Sequence, residues 1–326
     1  MILSAPQSIL ATLHYFDISD YPLTLEEVQK YAYCPPMELA DIATVLQIID
    51  DVLIPGGYVT CQRGLYSIAG RSHIVDTRLE RYEAVHKKYK KAMRFGSMLA
   101  MVPFVRMVAV CSSLSFGNAR DESDIDLHIL VRHGHIWLVR FFCSTVMEIL
   151  GQRPNIATRE KKNALCLSFF TSDRDGDCST LARAPHADVV DVEFVYWISQ
   201  HDPLYDSGDY YERWYKKNTW ITQWIPFHFS KAQHPRRTIQ LAWWQRGLKR
   251  LSEYIVSLFG NWLEKLAHGF QMKILPLSLK QHLSTGTQVV MNDDVLKMHP
   301  HDTREQTQQE FIKRVEIIKR TDICKS

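Results

Sequence analysis

No two cysteines of this chain stand in a Cys-x-x-Cys pair. The seven present, Cys34, Cys61, Cys111, Cys143, Cys166, Cys178 and Cys324, are odd in number and scattered. That pattern argues against both a disulfide framework and a structural zinc site, so reduced thiols are expected. Gly-x-Gly-x-x-Gly and Walker A motifs are absent, which disfavours Rossmann dinucleotide binding and P-loop hydrolysis. There is no Gly-x-Ser-x-Gly nucleophile elbow either. Neither sign of charge dominates: 39 Lys and Arg against 36 Asp and Glu leave a net charge of +3, which does not by itself indicate nucleic acid. Long apolar runs are missing as well. The stretch from Phe95 to Val110 is broken by Pro103 and Arg106, and Met1-Ile-Leu-Ser-Ala-Pro6 has no basic n-region. Neither a membrane span nor a signal peptide is therefore expected, and a cytoplasmic location follows as an expectation. The 326 residues, 46% of them hydrophobic, suffice for two domains or for one large core with appendages.

The most informative segment runs from Val108 to Val131. A hydrophobic strand leads into a small-residue turn, Ser112-Ser-Leu-Ser-Phe-Gly117-Asn-Ala-Arg120, and then into Ser123-Asp-Ile-Asp126 at the head of a second strand. Side chains alternate along a strand, so Asp124 and Asp126 share one face while Ile125 and Leu127 take the other. Two carboxylates held together suit Mg²⁺, which binds through one or two acidic side chains and keeps its other positions for water and phosphate. Ser112, Ser113, Ser115 and Gly117 can offer hydroxyls and backbone N–H groups to a phosphate, particularly where a helix begins just after the strand.

These residues resemble the DNA polymerase β-type nucleotidyltransferase superfamily, with its strand, Gly-Ser turn, helix turn and Asp-x-Asp on the second strand. Ser113, Gly117, Asn118, Ala119, Arg120, Ser123, Asp124 and Asp126 match. Ser112 departs, standing where the superfamily usually has glycine. The resemblance implies Mg²⁺ (or Mn²⁺) on Asp124 and Asp126, with an NTP substrate positioned by Ser112, Ser113, Ser115, Gly117, Asn118, Arg120 and Ser123. It further implies a third carboxylate on the strand Ala164–Phe170, which contains no acid. Asp173, just beyond the strand, is the nearest candidate for the catalytic set. The alternative is that Asp173, Asp175 and Asp177 are ordinary loop acids.

The expected fold class is α/β: a nucleotidyltransferase core of mixed sheet and helices, a winged-helix-like domain before it and a helical region after it. Residues 1–70 read as three helices, the third from Met37 to about Ile49, followed by a β-hairpin. Thr24 and Glu27 form a capping-box signature. The third helix has no Lys or Arg, so a protein-docking role is at least as well supported as contact with DNA. Residues 71–103 read as a basic helical linker, with Lys87 to Lys91 the densest cationic cluster and the expected seat of a polynucleotide backbone. Residues 104–206 form the core and 207–326 a helical C-terminal region.

In that last region Leu241, Trp244, Leu248, Leu251, Ile255, Leu258 and Trp262 recur at three- and four-residue steps, as on one helix face. Packing against the core ranks first for this seam, a homodimer contact second and a membrane-surface helix third. His128, His133 and His135 are close in sequence, but only His128 shares the face of the two aspartates, which argues against a metal trio. The stretch from Met298 to Glu305 reads as a loop and helix start rather than a ligand site.

The expected reaction is transfer of a nucleoside monophosphate from an NTP to an acceptor that is nucleic acid, protein or small molecule. A different class of protein competes with it: a catalytically degenerate, nucleotide-sensing regulator that engages DNA or a protein partner through the winged-helix-like domain.

Overall fold

The computed structural model describes residues 3–152, 163–183, 191–230, 234–283, 286–299, 303–321 and 323. Helices α1 (Ala5–Asp17), α2 (Leu25–Lys30) and α3 (Ile42–Ile48) precede a hairpin of β1 (Val59–Gln62) and β2 (Leu65–Ile68). The capping box at the start of α2 forms as its spacing predicts. Glu27 N–H donates to Thr24 Oγ1 at 3.2 Å, and Thr24 N–H donates to Glu27 Oε2 at 2.9 Å. The third helix differs from expectation. Asp41 caps α3 by accepting from Ala43 N at 3.1 Å, so Met37–Ala40 forms a separate 3₁₀ turn. The hairpin closes through Arg63-Gly64, both at positive φ, as a two-residue turn matched to strand twist requires.

Next come α4 (Ile74–Met101), β3 (Val105–Val110), the single turn α5 (Ser112–Ser115), β4 (Ile125–Val131), α6 (Ile136–Ile149) and β5 (Leu165–Ser172). They are followed by α7 (Val192–Ser199), β6 (Asp202–Asp206), α8 (Tyr210–Lys217), α9 (Trp243–Ser257), α10 (Gly260–Ile274) and α11 (Leu277–His282). The chain ends with β7 (Val289–Met291), β8 (Val295–Met298) and α12 (Arg304–Arg320).

Six strands form a mixed sheet in the order β6-β3-β4-β5-β8-β7, in which only the β4–β5 pair is parallel. The class is therefore α/β, as expected. Two of its strands, however, come from the region read as wholly helical, because β7 and β8 extend the sheet beyond β5. Strand β6 contains Pro203, which an edge position tolerates because one side of the strand needs no ladder donor.

Strand alternation sorts the core into two layers. Val108, Val110, Leu127, Ile129 and Val131 pack with α4, α6, α10 and α11 on one face. On the other, Met107, Ala109, Leu130 and Phe169 pack with α7, α8, α12 and the N-terminal helices. The N-terminal segment is thus built into the same core as one sheet face. Arg71 and Arg314 both converge on Asp17 at the end of α1, each at 2.8 Å.

Two expectations about helix faces are corrected. The cations of α4 do not form one solvent-facing cluster. Arg78 is 5% exposed and binds Glu27 and the Pro22 carbonyl, while Lys88, at 2% exposed, donates to the carbonyls of Asp121 and Ser123 and to Asn163. Conversely, the apolar seam does not pack on the core beyond its first member, Leu241, which is buried ahead of α9. Trp244, Leu248, Leu251, Ile255, Leu258 and Trp262 are each 52–63% exposed. The polar side of α9 turns inward because the α4–β3 junction presents backbone groups that need partners. Lys249 Nζ donates to Ala100 O at 2.8 Å and Val105 O at 2.6 Å, and Glu253 accepts from Phe104 N at 2.8 Å.

Candidate active site

The turn and the two aspartates are brought together by the β3–β4 ladder. Val110 lies opposite Leu127, and beyond the last rung Cys111 N–H donates to the Asp126 carbonyl at 3.1 Å. The serine turn therefore begins beside Asp126. On the other side of β4 the parallel register sets Asp126 against Cys166 of β5, and Ile125 N–H is held by Ala164 O at 2.8 Å.

Ser112 adopts φ +58°, in the left-handed region where glycine is favoured. Holding a non-glycine residue there costs about 1 kcal/mol. Its Oγ accepts from Trp197 Nε1 at 3.1 Å, a contact glycine would lack. Ser115 Oγ donates to Ser112 O at 2.7 Å and tightens the turn. Gly117 sits at φ +82°, and a Cβ there would meet only the Tyr21 hydroxyl at 3.7 Å, so backbone conformation rather than space calls for glycine.

The remaining members of the predicted phosphate-contact set serve other partners. Asn118 is buried, donates to Ser19 O at 2.8 Å and accepts from Arg81. It fastens the turn to the N-terminal helices. Ser123 Oγ donates to Arg120 O at 2.8 Å, and the exposed Arg120 guanidinium lies 3.7 Å from Asp20. Ser113 is half-buried within the turn, and its carbonyl accepts from Asn118 N at 2.8 Å.

Asp124, just ahead of β4, and Asp126, within it, are both partly exposed, while Ile125 between them is buried. Burial, reinforced by the neighbouring charge of Asp126, pushes the Asp124 carboxyl above its ordinary range, and Lys88 and the Ala164 N–H only partly offset this. Lys88 cannot neutralise the pair as a bonded partner, since its three donors go to Asp121 O, Ser123 O and Asn163 Oδ1. Two partly buried carboxylates with no direct counter-charge among the described residues are suited to a divalent cation.

Asp173 is not part of this group. It follows the far end of β5, where Ser172 pairs with Val131, and its Oδ1 accepts from His133 N at 2.8 Å. Seven residue steps separate it from Cys166, about 23 Å at the usual rise. Asp177 caps a short turn by accepting from Ser179 N at 2.8 Å. The β5 side chains at the Asp126 end are instead Cys166 and Ser168, 3.2 Å apart, with His299 Nε2 2.8 Å from Ser168. Burial, then the charges of Asp126 and Asp124, hold the Cys166 thiol well above its ordinary pKa, so it stays protonated.

Sequence reasoning missed Lys88, Cys166, Ser168 and Trp197 at this site. Cys166 and Ser168 could be placed there only by knowing the β4–β5 register. The three histidines go to separate places: His128 is buried against Thr171, His133 pairs with Asp294, and His135 packs edge-on against Phe104. Among the described residues no three His, Cys, Asp or Glu side chains converge as a metal cage.

No protein-family model, curated protein or solved structure matches this chain.

Proposed function

We propose that the chain is a metal-dependent nucleotidyltransferase of polymerase β type, moving a nucleoside monophosphate from an NTP to an acceptor hydroxyl with release of pyrophosphate. The observation that carries this reading is the junction of the serine turn with Asp126 and the neighbouring Asp124, a carboxylate pair without a bonded counter-charge among the described residues. Asp124 and Asp126 would hold Mg²⁺ or Mn²⁺, which supplies charge stabilisation to the phosphates. Ser113 and the backbone N–H groups opening the α5 turn, which lack intrahelical acceptors, would orient the triphosphate. Lys88 fixes the loop before Asp124 and thereby positions the first carboxylate. In-line displacement asks mainly for positioning and charge compensation, so a short constellation suffices.

One observation favours a second reading, the nucleotide-sensing regulator. The β5 positions beside Asp126 hold a protonated thiol and a hydroxyl rather than a carboxylate. Such a site retains the means to bind a nucleotide–metal complex while lacking the third acid of a two-metal arrangement.

Label transfer from each α-labelled NTP to RNA, protein and small-molecule fractions separates the two. Mg²⁺- or Mn²⁺-dependent transfer that falls at least about a hundredfold in Asp124→Asn/Asp126→Asn is the expected result, as for loss of electrostatic stabilisation at the reacting group. Binding of nucleotide by the wild type with no transfer to any fraction would establish the regulator instead. In metal-free buffer near neutral pH the raised Asp124 carboxyl destabilises the fold once ionised. Asp124→Asn therefore raises the melting temperature, and Mg²⁺ stabilises the wild type but not the variant.

A further inference from the structure

We infer that the outward face of α9 and α10 is a docking surface for an anionic lipid bilayer, on which the protein lies without crossing it. The seam of α9 is continued on α10 by Trp262, Leu266, Phe270 and Ile274, a four-residue repeat with each member 50–62% exposed. Trp243, Tyr254 and Phe259 enlarge the same region, at 60–79% exposed. Soluble monomers rarely present a contiguous apolar patch beyond a few hundred Å², and one this large marks an interaction surface.

Charge decides what covers it. Residues 243–283 contain two acids, Glu253 and Glu264. Both are spent inward: Glu253 on Phe104 N and Arg106, Glu264 on the N–H groups of Trp137 and Leu138, at 2.8 Å each, where it caps α6. The exposed charges of the segment are Arg246, Arg250, Lys265, Lys273 and Lys280, all positive. Arg246 and Arg250 line the cavity shared with Lys249 and Glu253, which leaves Lys265, Lys273 and Lys280 as the exposed charges of α10 and α11, and a second copy seated face to face would bring those three cations against three with no acid of the segment to answer them. An anionic lipid surface answers both components, since aromatic side chains settle at the headgroup level and each cation near the surface gains about 1 kcal/mol. Among the described residues no helix is long and apolar enough to cross a membrane, so the face lies on the bilayer.

Flotation of the full chain with vesicles of phosphatidylcholine alone, or with about one third phosphatidylglycerol, tests this. The expected result is binding to the anionic vesicles about tenfold tighter than to the neutral ones, weakened by salt. Leu251→Ser/Leu258→Ser/Trp262→Ser reduces binding to both at least about tenfold while the melting temperature holds, because the removed side chains face outward. Lys265→Glu/Lys273→Glu abolishes only the preference for the anionic vesicles. Failure of the wild type to float with either vesicle overturns the inference. So does a dimer in sedimentation velocity that the triple serine variant dissolves, which would assign the face to a second copy.

Discussion

Helices α4 and α9 carry opposite inventories and use them in opposite ways. Basic α4 turns Arg78, Arg81 and Lys88 toward the protein, while α9 turns its apolar seam toward the outside. Both choices follow from what lies beneath. The loop Asp121–Ser123 and the α4–β3 junction each expose backbone carbonyls at the protein surface, and each is closed by a lysine, Lys88 in one case and Lys249 in the other. An aliphatic side chain could not satisfy those groups. The comparison teaches that a stripe's chemistry does not by itself decide its direction. Unpaired backbone groups compete with apolar area for the inward face.

The largest expected effect comes from removing the α4 lysine. Lys88→Met deletes three hydrogen bonds and leaves their acceptors at a partly buried site, which should lower unfolding free energy by about 2–3 kcal/mol in a urea titration. It should also loosen the segment before Asp124, so under the proposed chemistry transfer falls more than Lys87→Met makes it fall. Lys87 serves as the control because it sits on the surface and only pairs with Glu83. Equal stabilities for the two variants would break the comparison on the α4 side.

Lys249 sharpens the α9 side through pH. Burial pushes its ammonium down to about 7 from the ordinary 10.5, although Glu253 works the other way. The sign follows from proton counting. Between these two values the unfolded chain binds a proton that the folded chain does not, so stability rises with pH across that window and is flat in this term below it. In Lys249→Met the slope of melting temperature between about pH 7.5 and 9.5 should be shallower than in the wild type, whatever the absolute stability. An unchanged slope would mean that the buried lysine stays charged on its carbonyl partners throughout.

The elements around these helices were largely legible. The strand–turn–strand block, the capping box at Thr24 and Glu27, the hairpin before α4 and the helix beginning at Ile136 all form near their expected places. What resisted reading depends on partners distant in sequence. Cys166 meets Asp126 only through a parallel register that no local pattern encodes, and β7 and β8 are strands because they find the β5 edge. Asp173 looked close to the site in sequence, yet a strand carries it to the opposite end of the sheet. The α9 seam was read correctly as a stripe and assigned to the wrong side.

The smallest expected effect tests that last point most directly. If the seam faces outward, Leu251→Ser/Leu258→Ser removes side chains that are 55% and 63% exposed and leaves no cavity. The change in unfolding free energy should then stay within about 0.5 kcal/mol, as for surface positions. If the seam instead packed on the core, each leucine would behave as a truncated core residue and the pair would cost several kcal/mol, on the order of 2 or more per site. The two readings differ well beyond the error of a urea titration. A near-neutral result thus fixes the direction of α9 without reference to any ligand, and a large loss would show that the polar side of the helix is not the one holding it to the protein.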